Sequence, residues 1–167
     1  MELRTAEQRD VLDILLIYSQ AAETLRRRGV DQWQDGYPSV QTLKLDMQKD
    51  QCYVAERCGQ IAGTLAICLG LEPSYAQIYD GAWKRDGEYL SVHRFAVAPD
   101  FRGGQTADFM MQSAVHIARL LNVCSVRSDT QRDNRPMQRV LERCGFELCG
   151  TIYLEDASER IAYQYLL

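Results

Sequence analysis

Phe95-Ala96-Val97-Ala98-Pro99-Asp100-Phe101-Arg102-Gly103-Gly104-Gln105-Thr106-Ala107 decides how this chain is read. An apolar run from Tyr89 to Ala98 has the composition of a strand and stops at Pro99-Asp100, a turn signal. Two glycines follow, and an amphipathic helix opens near Thr106. Strand, glycine-bearing turn and helix start together gather backbone N–H groups at the positive end of a helix, a place that suits an anionic phosphate. Arg102 stands where a guanidinium reaches the same anion. Taken alone, Gly-Gly before a helix is also ordinary tight geometry.

The second half of the chain adds weight. Ser128-Asp129-Thr130-Gln131-Arg132-Asp133-Asn134 precedes a short helix that ends at Cys144-Gly145-Phe146. The order of these features resembles the GNAT superfamily of acyl-CoA-dependent N-acetyltransferases, whose R/Q-x-x-G-x-G/A loop grips the pyrophosphate of coenzyme A. Arg102 and Ala107 match the first and last positions of that loop. Its fourth position is Gln105 here, with glycines at 103 and 104 instead. The resemblance runs from the strand around Leu3 to the closing strand Tyr163–Leu167. It implies one α/β (α+β) domain over residues 1–167, with a mixed, splayed central sheet flanked by helices.

Length and composition agree with one core. Of the 167 residues, 46% are hydrophobic and 25% charged, ordinary values for a globular protein. No stretch approaches the ~20 apolar residues of a membrane helix, and the first residues lack the apolar run of a signal peptide, so a cytoplasmic protein is expected. A net charge of −4 argues against nucleic acid as a partner. The six cysteines form no CxxC pair and no zinc-like spacing, so neither a metal site nor a disulfide framework is expected.

Along the chain, Glu2–Arg4 reads as a first strand. Thr5-Ala6-Glu7-Gln8 has the pattern of a capping box. Val11, Leu15, Tyr18, Ala22 and Leu25 mark one apolar face of the helix that follows, which ends at Arg26-Arg27-Arg28-Gly29. Ser39 caps a second helix with Val40, Leu43 and Met47 inward. Strands 51–56 and 60–69 flank the turn Arg57-Cys58-Gly59. Residues 70–87 show no clear period. Met110, Ala114, Ile117 and Leu121 mark the core face of the long helix, and a strand over 123–128 and a helix over 136–143 come next. Strands 146–153 and 161–167 close the chain. There are no repeats and no interdomain linkers.

In the resembled family the pantetheine arm pairs with backbone groups of the strand before the loop, as an added strand would. Carried over by position, those groups belong to Phe95, Ala96 and Val97, and the pyrophosphate cradle to Arg102, Gly103, Gly104, Gln105, Thr106 and Ala107. Asn134, eleven residues before Gly145, matches an asparagine that contacts the cofactor near its thiol. Its flanking turn formers also fit a plain turn residue. Relatives carry a tyrosine seven residues after this asparagine to protonate the leaving sulfur; here that position is Leu141. A helix that points this position at the sulfur predicts a gain in rate for Leu141→Tyr, whereas a core leucine predicts overpacking.

N-acetyl transfer needs a base to take a proton from the ammonium. Of the two histidines, His93 is the candidate, because it precedes Val97 by four residues at a place where relatives often carry glutamate. Strand alternation puts it on the side of Phe95 and Val97, so a core histidine is the competing reading. His116, inside the long helix, reads as structural. Trp33, Tyr37, Tyr75 and Tyr79 come from the loops that wall the acceptor site in relatives, where their rings suit an amine by cation–π attraction. Packing beneath the loops is the competing reading for these rings, and Asp35 and Glu88 are candidate ammonium partners or simply charged loop residues facing water.

The resemblance therefore implies acetyl-CoA as cosubstrate, an amine acceptor and direct attack in a ternary complex. From spacing and composition no metal and no membrane partner are expected, and a homodimer is compatible with the reading. A non-catalytic acyl-CoA-binding module is the rival that Leu141 favours. A nucleotide-binding α/β domain is disfavoured, since neither G-x-G-x-x-G nor G-x-x-x-x-G-K-[ST] occurs.

Overall fold

The apolar stretches of the sequence become seven strands and four helices in a computed structural model that describes residues 1–167. They are β1 (Glu2–Thr5), α1 (Val11–Arg27), α2 (Val40–Gln48), β2 (Cys52–Arg57), β3 (Gln60–Leu69), β4 (Tyr89–Val97), α3 (Thr106–Leu120), β5 (Ser125–Thr130), α4 (Arg135–Arg143), β6 (Glu147–Tyr153) and β7 (Glu159–Leu166). The strands follow the order β1-β2-β3-β4-β5-β7-β6. The sheet is mixed: β4 and β5 pair in parallel, and β1–β2, β2–β3, β5–β7 and β6–β7 are antiparallel. The expected mixed α/β class is the class observed. The chain divides into two compact units, residues 1–67 with 94–110, and residues 68–93 with 111–167.

In the first unit, α1 and α2 cover β2 through Ile14, Ile17, Tyr18, Leu43, Cys52 and Val54. The inward stripe of α1 differs from the one expected. Ile14, Ile17, Tyr18 and Leu25 are buried, whereas Val11, Leu15 and Ala22 are half-buried and Leu12 and Leu16 face outward. Every residue from 11 to 17 except Asp13 is apolar, so several helical stripes fit the sequence and packing selects among them. The capping box also lies elsewhere. Thr5 pairs with Tyr53 as the end of β1, and the helix entrance is closed by Asp10, which accepts the Glu7 N–H at 2.7 Å. Arg4 donates to both Asp10 oxygens, at 2.7 and 2.9 Å, and its hydrogen bonds hold this carboxyl below its ordinary range. Ser39 caps α2 as expected, accepting the Thr42 N–H at 3.1 Å. Gly63 permits a close approach: a Cβ there would lie 2.6 Å from Met110 Sδ and 2.8 Å from the Ala96 carbonyl oxygen.

In the second unit, α3 buries Met111, Ala114, Val115 and Ala118. Ile117, expected inward, is half-buried, and Leu121, beyond the end of the helix, is exposed. The segment with no clear period, 70–87, contains one short 3-10 turn, Pro73–Tyr75, and a single bridge from Tyr79 to Thr151. Side chains hold it in place. Gln164 accepts the Lys84 N–H at 2.7 Å and donates to the Arg85 carbonyl and to Ser125 Oγ, each at 2.8 Å. The Arg127 guanidinium lies 4.0 Å from the Trp83 ring centre and 4.1 Å from that of Tyr89. Tyr75, Tyr89, Ile152 and Ala162 form the core beneath.

Candidate functional site

The loop after β4 has the predicted form. Pro99–Phe101 is a 3-10 turn, and α3 begins at Thr106. The first N–H groups of a helix have no acceptor within it. They border an open depression of about 540 Å³ that Arg57, Arg102, Gly104, Gln105 and Thr106 also line. Gly103 has φ +76°, a conformation that explains a glycine there, whereas Gly104 lies outside that region and its nearest atom to an added Cβ is the Phe101 carbonyl oxygen at 4.0 Å. Gly104 therefore lines the depression with open space around it and no backbone need for a glycine. The Arg102 side chain is turned onto its own unit, donating to the Val97 carbonyl at 3.0 Å and to Thr24 Oγ1 at 2.9 Å. Burial, with help from Arg28, lowers its pKa.

Within β4, Arg94 has a φ of +50°, rare for a side chain of this kind. This residue departs from the extended geometry on which the alternation between His93 and Phe95 rests. Such a backbone costs roughly 1–3 kcal/mol and persists only where the surroundings fix it. Here a two-pronged ion pair does so: Arg94 meets Asp46 at 2.6 and 2.9 Å and donates to Tyr37 Oη at 2.8 Å.

In the second unit, the parallel ladder of β4 with β5 covers only Tyr89–Val92 opposite Ser125–Ser128. Ser128 Oγ donates to the Val92 carbonyl at 3.0 Å at its end. His93 and Asp129 are the next residues of the two strands. His93 Nδ1 lies 3.8 Å from Asp129 Oδ1, and its Nε2 lies 3.6 Å from Glu72 Oε2. Both carboxylates are anchored. Tyr75 Oη donates to Asp129 Oδ1 at 2.7 Å, and Glu72 Oε1 accepts from Ser74 Oγ at 3.0 Å. Burial, then the Asp129 charge, pushes the Tyr75 hydroxyl well above its ordinary pKa, so it remains a donor.

The expected acceptor aromatics are placed differently from one another. Tyr37 and Tyr79 keep exposed rings, Trp33 is half-buried with its ring 5.8 Å edge-on from that of Tyr18, and Tyr75 is enclosed. Asn134 is the N-cap of α4, its side-chain oxygen accepting the Met137 N–H at 3.4 Å. His116 is exposed on α3. Glu72, Asp129 and the Asp46–Arg94 pair were not singled out from the sequence. The register that sets Val92 opposite Ser128, and so brings Asp129 beside His93, has no local signature.

Leu141 has no exposed surface. Leu141→Tyr is therefore expected to overpack the second unit and destabilise by about 1–3 kcal/mol with no gain in kcat. Thermal melting and turnover measured on one preparation check this.

Comparison with known proteins agrees with this architecture. A GNAT acetyltransferase from Streptococcus agalactiae is 30% identical with a TM-score of 0.92, over 99% of this chain and 95% of that one. A ribosomal-protein-alanine N-acetyltransferase from Brucella melitensis shares the fold at 21% identity and a TM-score of 0.71, with both chains fully covered. A Salmonella typhimurium protein solved with its cofactor acetyl-CoA shares it at 15% identity and a TM-score of 0.69, over 99% and 93% of the two chains. Among curated proteins, sequence comparison gives no match. The model of the acetyltransferase (GNAT) family matches residues 17–146, the span holding both the loop after β4 and the His93 cluster, and the chain belongs to that family.

Proposed function

We propose that this protein transfers the acetyl group of acetyl-CoA to a primary amine of a small molecule or protein. The observation that carries the reading is the continuous run from Phe95 through α3: a strand end, a glycine turn and an open helix start beside a depression. The cradle fits a pyrophosphate because its donors are backbone N–H groups at a positive helix end and no side chain fills the space at Gly104. Gly103, Gly104, Gln105, Thr106 and Ala107 hold the pyrophosphate, with Arg102 stiffening the turn from below. Backbone groups of Phe95, Ala96 and Val97 hold the pantetheine amides. Asn134 orders the turn near the thiol end through its cap. Tyr37 and Tyr79 offer ring faces to the acceptor.

When bound, acetyl-CoA supplies the acetyl group as a thioester. His93 removes one proton from the ammonium, and the free amine attacks directly. The new C–N bond forms as the C–S bond breaks, with the carbonyl oxygen held by a backbone N–H near Val97. The second proton on nitrogen goes to the leaving sulfur, and the imidazolium returns its proton to water. Cys52 and Cys149 are poor nucleophiles: both are buried, and burial pushes both thiols above their ordinary pKa.

With Leu141 where relatives carry a tyrosine, α4 supplies none at the leaving group, which favours acyl-CoA binding without catalysis as the second reading. Thiol release from acetyl-CoA over a panel of primary amines separates the two. Amine-dependent release matched by acetylated product is expected, and tight CoA binding with no release from any amine supports the rival.

A further inference from the structure

The imidazole of His93 is enclosed by a set of groups that the reaction scheme above does not yet use. Asp129 from β5 faces Nδ1 at 3.8 Å, and Glu72, just before the Pro73–Tyr75 turn, faces Nε2 at 3.6 Å. The other titratable or charged groups of this cluster are accounted for. Tyr75, its ring 5.8 Å from the imidazole, donates its hydroxyl to Asp129. Tyr89 Oη accepts the Glu72 N–H at 3.0 Å, and Arg127 is stacked on the outer aromatic pair. Arg94, the next residue in the chain, is committed to Asp46. A histidine set between two anchored carboxylates has an environment built for its charged form.

We propose that Asp129 and Glu72 are positioning residues that hold the protonated His93 imidazole between them, so that a proton taken from the acceptor ammonium is stabilised there before it passes to water. The inference rests on the reading of His93 as the base. The Asp129 and Glu72 carboxylates, 3.8 Å from Nδ1 and 3.6 Å from Nε2, lie on the two nitrogen sides of the ring and offset the charge that appears on it when it takes the proton. The balance is simple. The ammonium loses one proton, the His93 ring gains it, no other bond changes, and the imidazolium returns the same proton to solvent at the end of the cycle. The two carboxylates also favour a cationic acceptor over a neutral one as it approaches the ring.

With only two histidines in the chain, the imidazole signals can be followed by NMR through a pH titration without any acceptor, and exposed His116 serves as an internal control. Asp129→Asn retains an oxygen for the Tyr75 hydroxyl, and Glu72→Gln lies in the turn rather than in the core. Removing either negative charge lowers the His93 midpoint by about one pH unit, while His116 is unmoved. The acidic limb of kcat/KM, lost as the base protonates, moves down in pH by the same amount, and kcat falls more than KM changes. Unchanged midpoints in both variants overturn the carboxylate hold, whatever their activity. Wild-type turnover in His93→Ala overturns instead the base reading on which the inference stands.

Discussion

His93→Ala is expected to lower kcat/KM by about 10²–10⁴-fold, the scale of a lost general base. The surviving activity should lack the acidic limb of the pH profile, because the group whose protonation shuts off the wild type is gone. The variant should stay folded, since the aromatic core of its unit is built from Tyr75, Tyr89, Ile152 and Ala162. Circular dichroism and turnover on the same sample decide the matter. A lower melting temperature with unchanged specific activity identifies His93 as a packing residue. A large loss of activity at wild-type stability identifies it as the base.

Gly104→Val is expected to weaken CoA binding by at least about tenfold. The reason is geometric. The backbone at Gly104 accommodates a side chain, and an added Cβ meets nothing closer than the Phe101 carbonyl oxygen at 4.0 Å. The new methyls therefore meet no part of the fold, at a residue that lines the depression. Loss of one charge-assisted hydrogen bond to a phosphate is worth about 1.5–3 kcal/mol, and each 1.4 kcal/mol is tenfold in Kd. Calorimetric titration gives the affinity and a thermal melt gives the stability. Wild-type affinity in this variant places the pyrophosphate away from Gly104.

Much of this was legible in the sequence where local chemistry alone decides the conformation. Thr106 opens α3 and Ser39 caps α2 because turn glycines and a cap hydroxyl act over three or four residues. The inward face of α1 was not legible, because an unbroken apolar run leaves the helix free to turn any of several stripes toward the sheet. Nor was the segment 70–87, which is held by Gln164 and by the Arg127 stack, partners that lie far along the chain. The surroundings of His93 were not legible for another reason: its neighbour Arg94 departs from extended geometry, and the Arg94 side chain pairs with Asp46, far along the chain. Asp129 escaped notice because an aspartate in a strand looks like a solvated residue until the register of β4 with β5 is known.

The central claim, that the run from Phe95 through α3 is an acyl-CoA site, is tested most directly by titrating the wild-type protein with CoA and with pantetheine under identical conditions. The two ligands share the arm that Phe95, Ala96 and Val97 hold, and only CoA carries the pyrophosphate. The account predicts that CoA binds at least about tenfold more tightly, from one or more charge-assisted hydrogen bonds at the start of α3. Equal affinities for CoA and pantetheine would contradict it.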